Sequence, residues 1–169
     1  MRSALAARPE QRFTLRPEGV IVVDSPALIT TVLGSCVAIC LVSQRKGIGA
    51  MSHSLLPLSR GRGGESPGRF VDTALEAMLD ALRAAGVRAS TLRAGVFGGA
   101  DLFPPVKARG FLTVGRQNID VARRLLHARG IPVVADNTGG GMGRKIIFNT
   151  GLQEVFLVWL GQQAVRQAA

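Results

Sequence analysis

The sequence predicts a layered α+β domain, an α/β sandwich of mixed β-sheets with flanking helices. Two observations predict it: short strand-like runs outnumber helical stripes, and several neighbouring runs are spaced as antiparallel pairs. A doubly wound parallel sheet does not fit that spacing. Of the 169 residues, 1–12 read as an N-terminal tail and 13–169 as one domain, long enough to bury a proper core.

The elements follow in order. Residues 20–23 and 28–33 are short β-branched runs, the second after Pro26. Residues 36–42 and 48–56 are apolar and flank the polar stretch Ser43-Gln44-Arg45-Lys46-Gly47, the pattern of a hairpin. Residues 59–68 form a Gly-, Ser- and Pro-rich loop. The clearest helix runs over 70–85, where Val71, Ala74, Leu75, Met78, Leu79 and Leu82 make one apolar stripe before Gly86. Residues 92–97 read as a strand ending in Gly98-Gly99. A second helix is expected to start near Asn118 as its N-cap and to carry Ile119, Ala122, Leu125 and Leu126 up to Gly130. Residues 131–135, 146–148 and 155–160 are further strands, the last two a hairpin around Asn149-Thr150-Gly151.

Charge and composition narrow the function classes. The formal net charge is +10, but the cations, almost all Arg, sit singly or in pairs. With seven Phe, one Trp and no Tyr, the chain lacks the stacking platforms that single-stranded nucleic-acid binders use. Nucleic acid is therefore not an expected partner. No apolar run approaches the ~20 residues that span a bilayer, so no membrane insertion is expected. Two cysteines, Cys36 and Cys40, make neither a disulfide framework nor a zinc site, and a cytosolic protein with free thiols is expected.

Several motifs are weighed and set aside. The loop Thr138-Gly139-Gly140-Gly141-Met142-Gly143-Arg144-Lys145 lacks the Gly-Lys-Ser/Thr ending of a P-loop, so a structural turn or a close backbone approach is the better reading. HExxH, CxxC and GxSxG are all missing, and neither metal nor cofactor is expected. His127 falls among arginines on the second helix and reads as a surface histidine.

His53 is different. If the hairpin loop is 43–46, Val42 faces Gly47 and Cys36 stands directly opposite His53 on one face of the sheet. A one-residue slip would separate them, so the pairing depends on the loop. Gly34-Ser35 open the backbone before Cys36 and expose its thiol, whereas Cys40 lies deeper in the apolar run. Cys36 then reads either as a nucleophile with His53 as its base or as a packed apolar residue.

At these residues the sequence resembles the CheD family of bacterial chemoreceptor glutamine deamidases. The resemblance rests on Thr30-Thr31-Val32-Leu33-Gly34-Ser35-Cys36-Val37-Ala38-Ile39-Cys40, then Gly49-Ala50-Met51-Ser52-His53 and Leu56-Pro57. It continues through Gly98-Gly99-Ala100-Asp101-Leu102-Phe103, Val114-Gly115-Arg116-Gln117-Asn118 and Asp136-Asn137-Thr138-Gly139-Gly140. It implies a catalytic group of Cys36 as nucleophile, His53 as general base and acid, and Thr30 as the residue orienting the histidine, with Thr31 the adjacent candidate. The backbone N–H groups around Ser35 and Val37 are the expected oxyanion donors. The implied fold is a sandwich related to the catalytic domain of cytotoxic necrotizing factor deamidases. The implied substrate is a methyl-accepting chemotaxis receptor, and in many members the phosphatase CheC is a second partner. The alternatives are a binding regulator of CheC or of receptor arrays, or another Cys–His thiol hydrolase.

Overall fold

The computed structural model describes residues 11–43, 48–62, 64–102, 112–160 and the backbone of 164–168. The described chain builds two five-stranded sheets and two helices. Sheet A has the order β1 (Gln11–Thr14), β3 (Ala27–Leu33), β8 (Arg144–Asn149), β9 (Glu154–Trp159), β10 (Ala164–Ala168). Sheet B has the order β2 (Val20–Val23), β5 (Ile48–Ser52), β4 (Val37–Ser43), β6 (Leu92–Gly98), β7 (Val133–Thr138). Each sheet is mixed: β1 pairs parallel with β3 and β6 with β7, while the other neighbours are antiparallel. The layered α+β sandwich is the fold the sequence predicts.

Three layers result, because two apolar cores lie on opposite faces of sheet B. Val37, Ile39 and Leu41 of β4 face α1 (Val71–Ala84) and α2 (Val114–Ala128), together with Val96 of β6. Ala38, Cys40 and Val42, the alternate residues, face Ala27, Ile29, Leu33, Ile146, Phe148 and Leu157 of sheet A. A strand buried on both faces has no polar position to offer, which is why residues 37–42 read as an unbroken apolar run. The stripe predicted for α1 is the set of its buried residues: Val71, Ala74, Leu75, Met78, Leu79 and Leu82.

Three expectations change. The strand β1 begins at Gln11, inside the stretch read as a tail, because its backbone pairs with β3 despite a polar sequence. Residues 1–10 lie outside the described residues. Helix α2 starts at Val114 with Thr113 as N-cap, its Oγ1 accepting from the Arg116 N–H at 3.2 Å. Asn118 is therefore not a cap but a buried residue in the second turn. The β4–β5 register is Val42↔Gly49 and Cys40↔Met51, two residues from the predicted Val42↔Gly47, with the proposed loop residues 44–46 outside the described set. A shift of two keeps every side chain on its predicted face.

The sheet ends bind each other through backbone. Gly98, at the end of β6, has φ 103°, and a Cβ there would lie 2.2 Å from the Cys36 carbonyl oxygen. Only glycine satisfies both conditions. Gly98→Ala should lower the free energy of unfolding by about 3 kcal/mol, read by denaturant titration. A loss below about 1 kcal/mol would show that this end of β6 can relax.

Candidate functional site

Residues 34–36 turn the chain from sheet A into sheet B, and all three carbonyls of the turn are tied. The Gly34 oxygen accepts from the Ala100 N–H at 2.8 Å and the Cys36 oxygen from the Gly99 N–H at 2.8 Å. Between them the Ser35 oxygen accepts from Asn118 Nδ2 at 3.1 Å. Each carbonyl fixes its peptide plane, so the backbone around Cys36 has little freedom left. The segment after Gly98 is held in turn by the glycine-rich loop. Gly139 N–H donates to the Gly98 oxygen and Asp101 N–H to the Gly140 oxygen, both at 2.8 Å. That loop is the structural element expected of it, and Arg144 organises it. Fully buried and stacked on the Trp159 ring at 4.6 Å, Arg144 donates to Asn137 O and Oδ1 at 2.5 Å each and to the Gly139 carbonyl. Burial lowers its pKa, and backbone carbonyls rather than a carboxylate receive its charge.

Cys36 and His53 come together by register. Val37 and Ser54 exchange two backbone hydrogen bonds, Val37 N–H to Ser54 O at 3.0 Å and Ser54 N–H to Val37 O at 2.8 Å. Cys36 is therefore in line with Leu55, and His53 is its diagonal neighbour on the same face rather than its direct opposite. No thiol–imidazole hydrogen bond is present among the described residues. The Val37 N–H is taken by Ser54, which removes Val37 from the expected oxyanion donors. The N–H groups of Ser35 and Cys36 have no acceptor among the described residues.

Thr31, not Thr30, meets the imidazole. On β3 the buried positions alternate as Ala27, Ile29, Thr31 and Leu33, which turns Thr31 toward sheet B and Thr30 to the other face. Thr31 Oγ1 lies 2.7 Å from His53 Nδ1 and also donates to the Leu15 carbonyl at 2.8 Å. A hydroxyl has one hydrogen; when Leu15 receives it, the bond to the ring comes from Nδ1–H. In that arrangement Nδ1 carries the proton and Nε2 holds the free lone pair. The backbone of residues 15–19 closes over this pair, with Glu18 N–H donating to His53 O and His53 N–H to Gly19 O, both at 2.9 Å.

Burial sets the protonation states. His53 is 2% exposed, and desolvation lowers its pKa to about 4, with the Leu15 carbonyl opposing part of that shift. Cys36 is half-buried, and desolvation raises its thiol while its own backbone N–H opposes. At neutral pH the pair is a neutral thiol beside a neutral imidazole rather than a thiolate–imidazolium ion pair. Cys40 is fully buried with its pKa pushed far up, an inert core thiol as expected. His127 is exposed on α2. Among the described residues no cluster of His, Cys, Asp and Glu is arranged to hold a metal, and no helix is long and apolar enough to cross a membrane.

The sequence model described as CheD chemotactic sensory transduction matches residues 55–158. The chain belongs to the CheD family. A protein of Trichlorobacter lovleyi, named "Probable chemoreceptor glutamine deamidase CheD", is 42% identical over 92% of this chain and 94% of its own. A second, from Anaeromyxobacter dehalogenans and named "Probable chemoreceptor glutamine deamidase CheD 1", is 42% identical over 77% of this chain and 74% of its own. A third, with the same name as the first, comes from Methanococcus vannielii and is 40% identical over 74% of this chain and 80% of its own. The matched CheD segment holds most of the scaffold, whereas Thr31, Cys36 and His53 precede it.

Asn118 was missed by sequence reasoning as a site residue. Its signal was available: it shares the buried stripe of Gly115, Ile119, Ala122 and Leu126, an amide where the helix otherwise presents apolar or small residues.

Two outcomes follow from this geometry. Thr31→Val strands the Nδ1–H in the core and should cost about 1–3 kcal/mol, whereas Thr30→Val, on the other face, should change stability by less than about 0.5 kcal/mol. Equal effects in denaturant titrations would put the wrong threonine at the ring. The second outcome concerns pH. Because His53 titrates near 4 in the folded chain and near 6.5 when unfolded, the unfolded state binds the extra proton between those values. Stability should therefore fall as pH drops from about 6.5 toward 4, and His53→Gln should flatten the part of that fall above pH 5. Parallel curves for the two proteins would contradict a buried neutral His53.

Proposed function

We propose that this chain is a chemoreceptor glutamine deamidase, hydrolysing the side-chain amide of receptor glutamines to glutamate and ammonia with Cys36, His53 and Thr31. The observation that carries the reading is the Leu15–Thr31–His53 relay, which leaves Nε2 of a neutral imidazole as a base on the face that also carries the half-buried Cys36. The names of its close CheD relatives supply the substrate class.

A primary amide is a poor electrophile, so its hydrolysis is divided into two steps. With both groups neutral, His53 Nε2 takes the thiol proton as Cys36 Sγ bonds to the glutamine carbonyl carbon; a free thiolate need not accumulate. The amide oxygen becomes an oxyanion, for which the unpaired N–H groups of Ser35 and Cys36 are the available donors. The imidazolium gives its proton to the nitrogen as the C–N bond breaks, releasing ammonia and leaving a thioester. His53 then takes a proton from water, whose oxygen attacks the thioester carbon, and the C–S bond breaks to return the thiol and leave glutamate. Thr31 accepts from Nδ1–H throughout and keeps the ring from flipping. Being neutral, it stabilises the imidazolium less than a carboxylate would. Low proton affinity at His53 also favours prompt return of the proton to the leaving amine.

Receptor helices rich in glutamate suit a chain of net charge +10, whose field speeds encounter without choosing the glutamine. CheC is the second partner this reading carries, and the cytoplasm is the compartment in which both would be met.

Incubation with cytoplasmic receptor fragments, followed by site-resolved mass spectrometry, should show glutamine-to-glutamate conversion without chain cleavage. Cys36→Ala and His53→Ala should each reduce it by at least about a thousandfold. Cleavage of the fragment would favour a peptidase, and full signalling effect in Cys36→Ala would favour a binding regulator.

A further inference from the structure

Asn118 sits fully buried on α2, far in sequence from the residues it touches. Its Nδ2 donates to the Ser35 carbonyl at 3.1 Å and to the Leu55 carbonyl at 3.0 Å. Those residues belong to the two segments that carry Cys36 and His53. Its Oδ1 is buried without a hydrogen-bond partner among the described residues. An unpaired oxygen in the core is unfavourable, so packing alone gives no reason for an amide at this position. The position therefore calls for the two donor hydrogens, not for filling space.

Peptide geometry says what those donors do. In a trans peptide the C=O and the N–H of one unit point in opposite directions. Anchoring the Ser35 oxygen on Asn118 turns the N–H of the same unit, which belongs to Cys36, away from α2. That N–H has no acceptor among the described residues. Helix α2 can reach the turn because Gly115 lies against the Gly99 backbone, where a Cβ would come within 2.7 Å of the Gly99 oxygen.

We propose that Asn118 is a positioning residue for the reaction: by holding the Ser35 and Leu55 carbonyls it aims the Cys36 N–H at the site where the oxyanion forms. The inference rests on the thiol-hydrolase reading above but not on the identity of the receptor.

Two reactions of Cys36 separate positioning from thiol activation. Acylation by p-nitrophenyl acetate passes through an oxyanion, whereas alkylation by iodoacetamide is a displacement that forms none. Asn118→Asp, which supplies at most one donor hydrogen, and Asn118→Leu, which supplies none, should slow acylation about 10- to 100-fold. Alkylation should stay within about threefold of the wild-type rate. Equal loss in both reactions, or no loss in either, would overturn the proposal. Should neither variant fold, the wild-type chain still decides. A short peptide whose glutamine side chain ends in an aldehyde, captured by Cys36 as a hemithioacetal, should move the Cys36 amide proton downfield and slow its exchange in NMR spectra. An unmoved Cys36 amide would overturn the assignment. These probes need no receptor, so a chain that acylates as expected but leaves receptor fragments unchanged would refute the deamidase reading alone.

Discussion

The arrangement depends on one constraint: the chain must cross from one sheet to the other in three residues while every carbonyl of that crossing finds a donor. Ala100, Asn118 and Gly99 supply those donors to Gly34, Ser35 and Cys36. The demand propagates outward. It requires the backbone after β6 to pass within hydrogen-bond distance of Cys36, which a side chain at Gly98 would prevent. It requires α2 to lie close enough for an amide side chain to reach the turn. It requires the glycine loop, held around Arg144, to keep residues 98–101 in place. Features that look separate along the chain are thus supports of one turn.

The second joint is the Thr31–His53 hydrogen bond, which spans the two sheets. Its partners come from β3 and from the end of β5, and Leu15 completes it from the strand-to-strand link near the N-terminus. Burial makes this joint both exacting and useful. In the apolar layer between sheets the imidazole stays neutral at neutral pH. The oxygen of Thr31 and the carbonyl of Leu15 hold the ring with no added charge.

Much of this was legible in the residues. The α1 stripe and the apolar run of β4 follow directly from the period of their side chains. Cys36 and His53 could be placed on one face from a hairpin argument even though its register was off by two, because a shift of two preserves the face. What was not legible depends on partners far away in sequence. The segment Gln11–Thr14 has no apolar alternation, and only its pairing with β3 makes it a strand. The choice between Thr30 and Thr31 was ambiguous because both alternating sets of β3 carry apolar residues, Ala27, Ile29 and Leu33 on one side, Leu28 and Val32 on the other. The commitment of the Val37 N–H to Ser54 needs the exact pairing, which no local pattern supplies.

The position of Leu15 bears on the chain before it is fully folded. Until residues 15–19 lie across His53, and until sheet A delivers Thr31, the imidazole is an ordinary solvated histidine free to hold its proton on either nitrogen. Cys36 is then an ordinary thiol on a mobile loop. The proposed catalytic arrangement is therefore a property of the completed tertiary structure, assembled from separated stretches of sequence, and a half-folded copy lacks it. For the deamidase proposed above, whose target group is as common as glutamine, folding itself becomes the safeguard against indiscriminate chemistry.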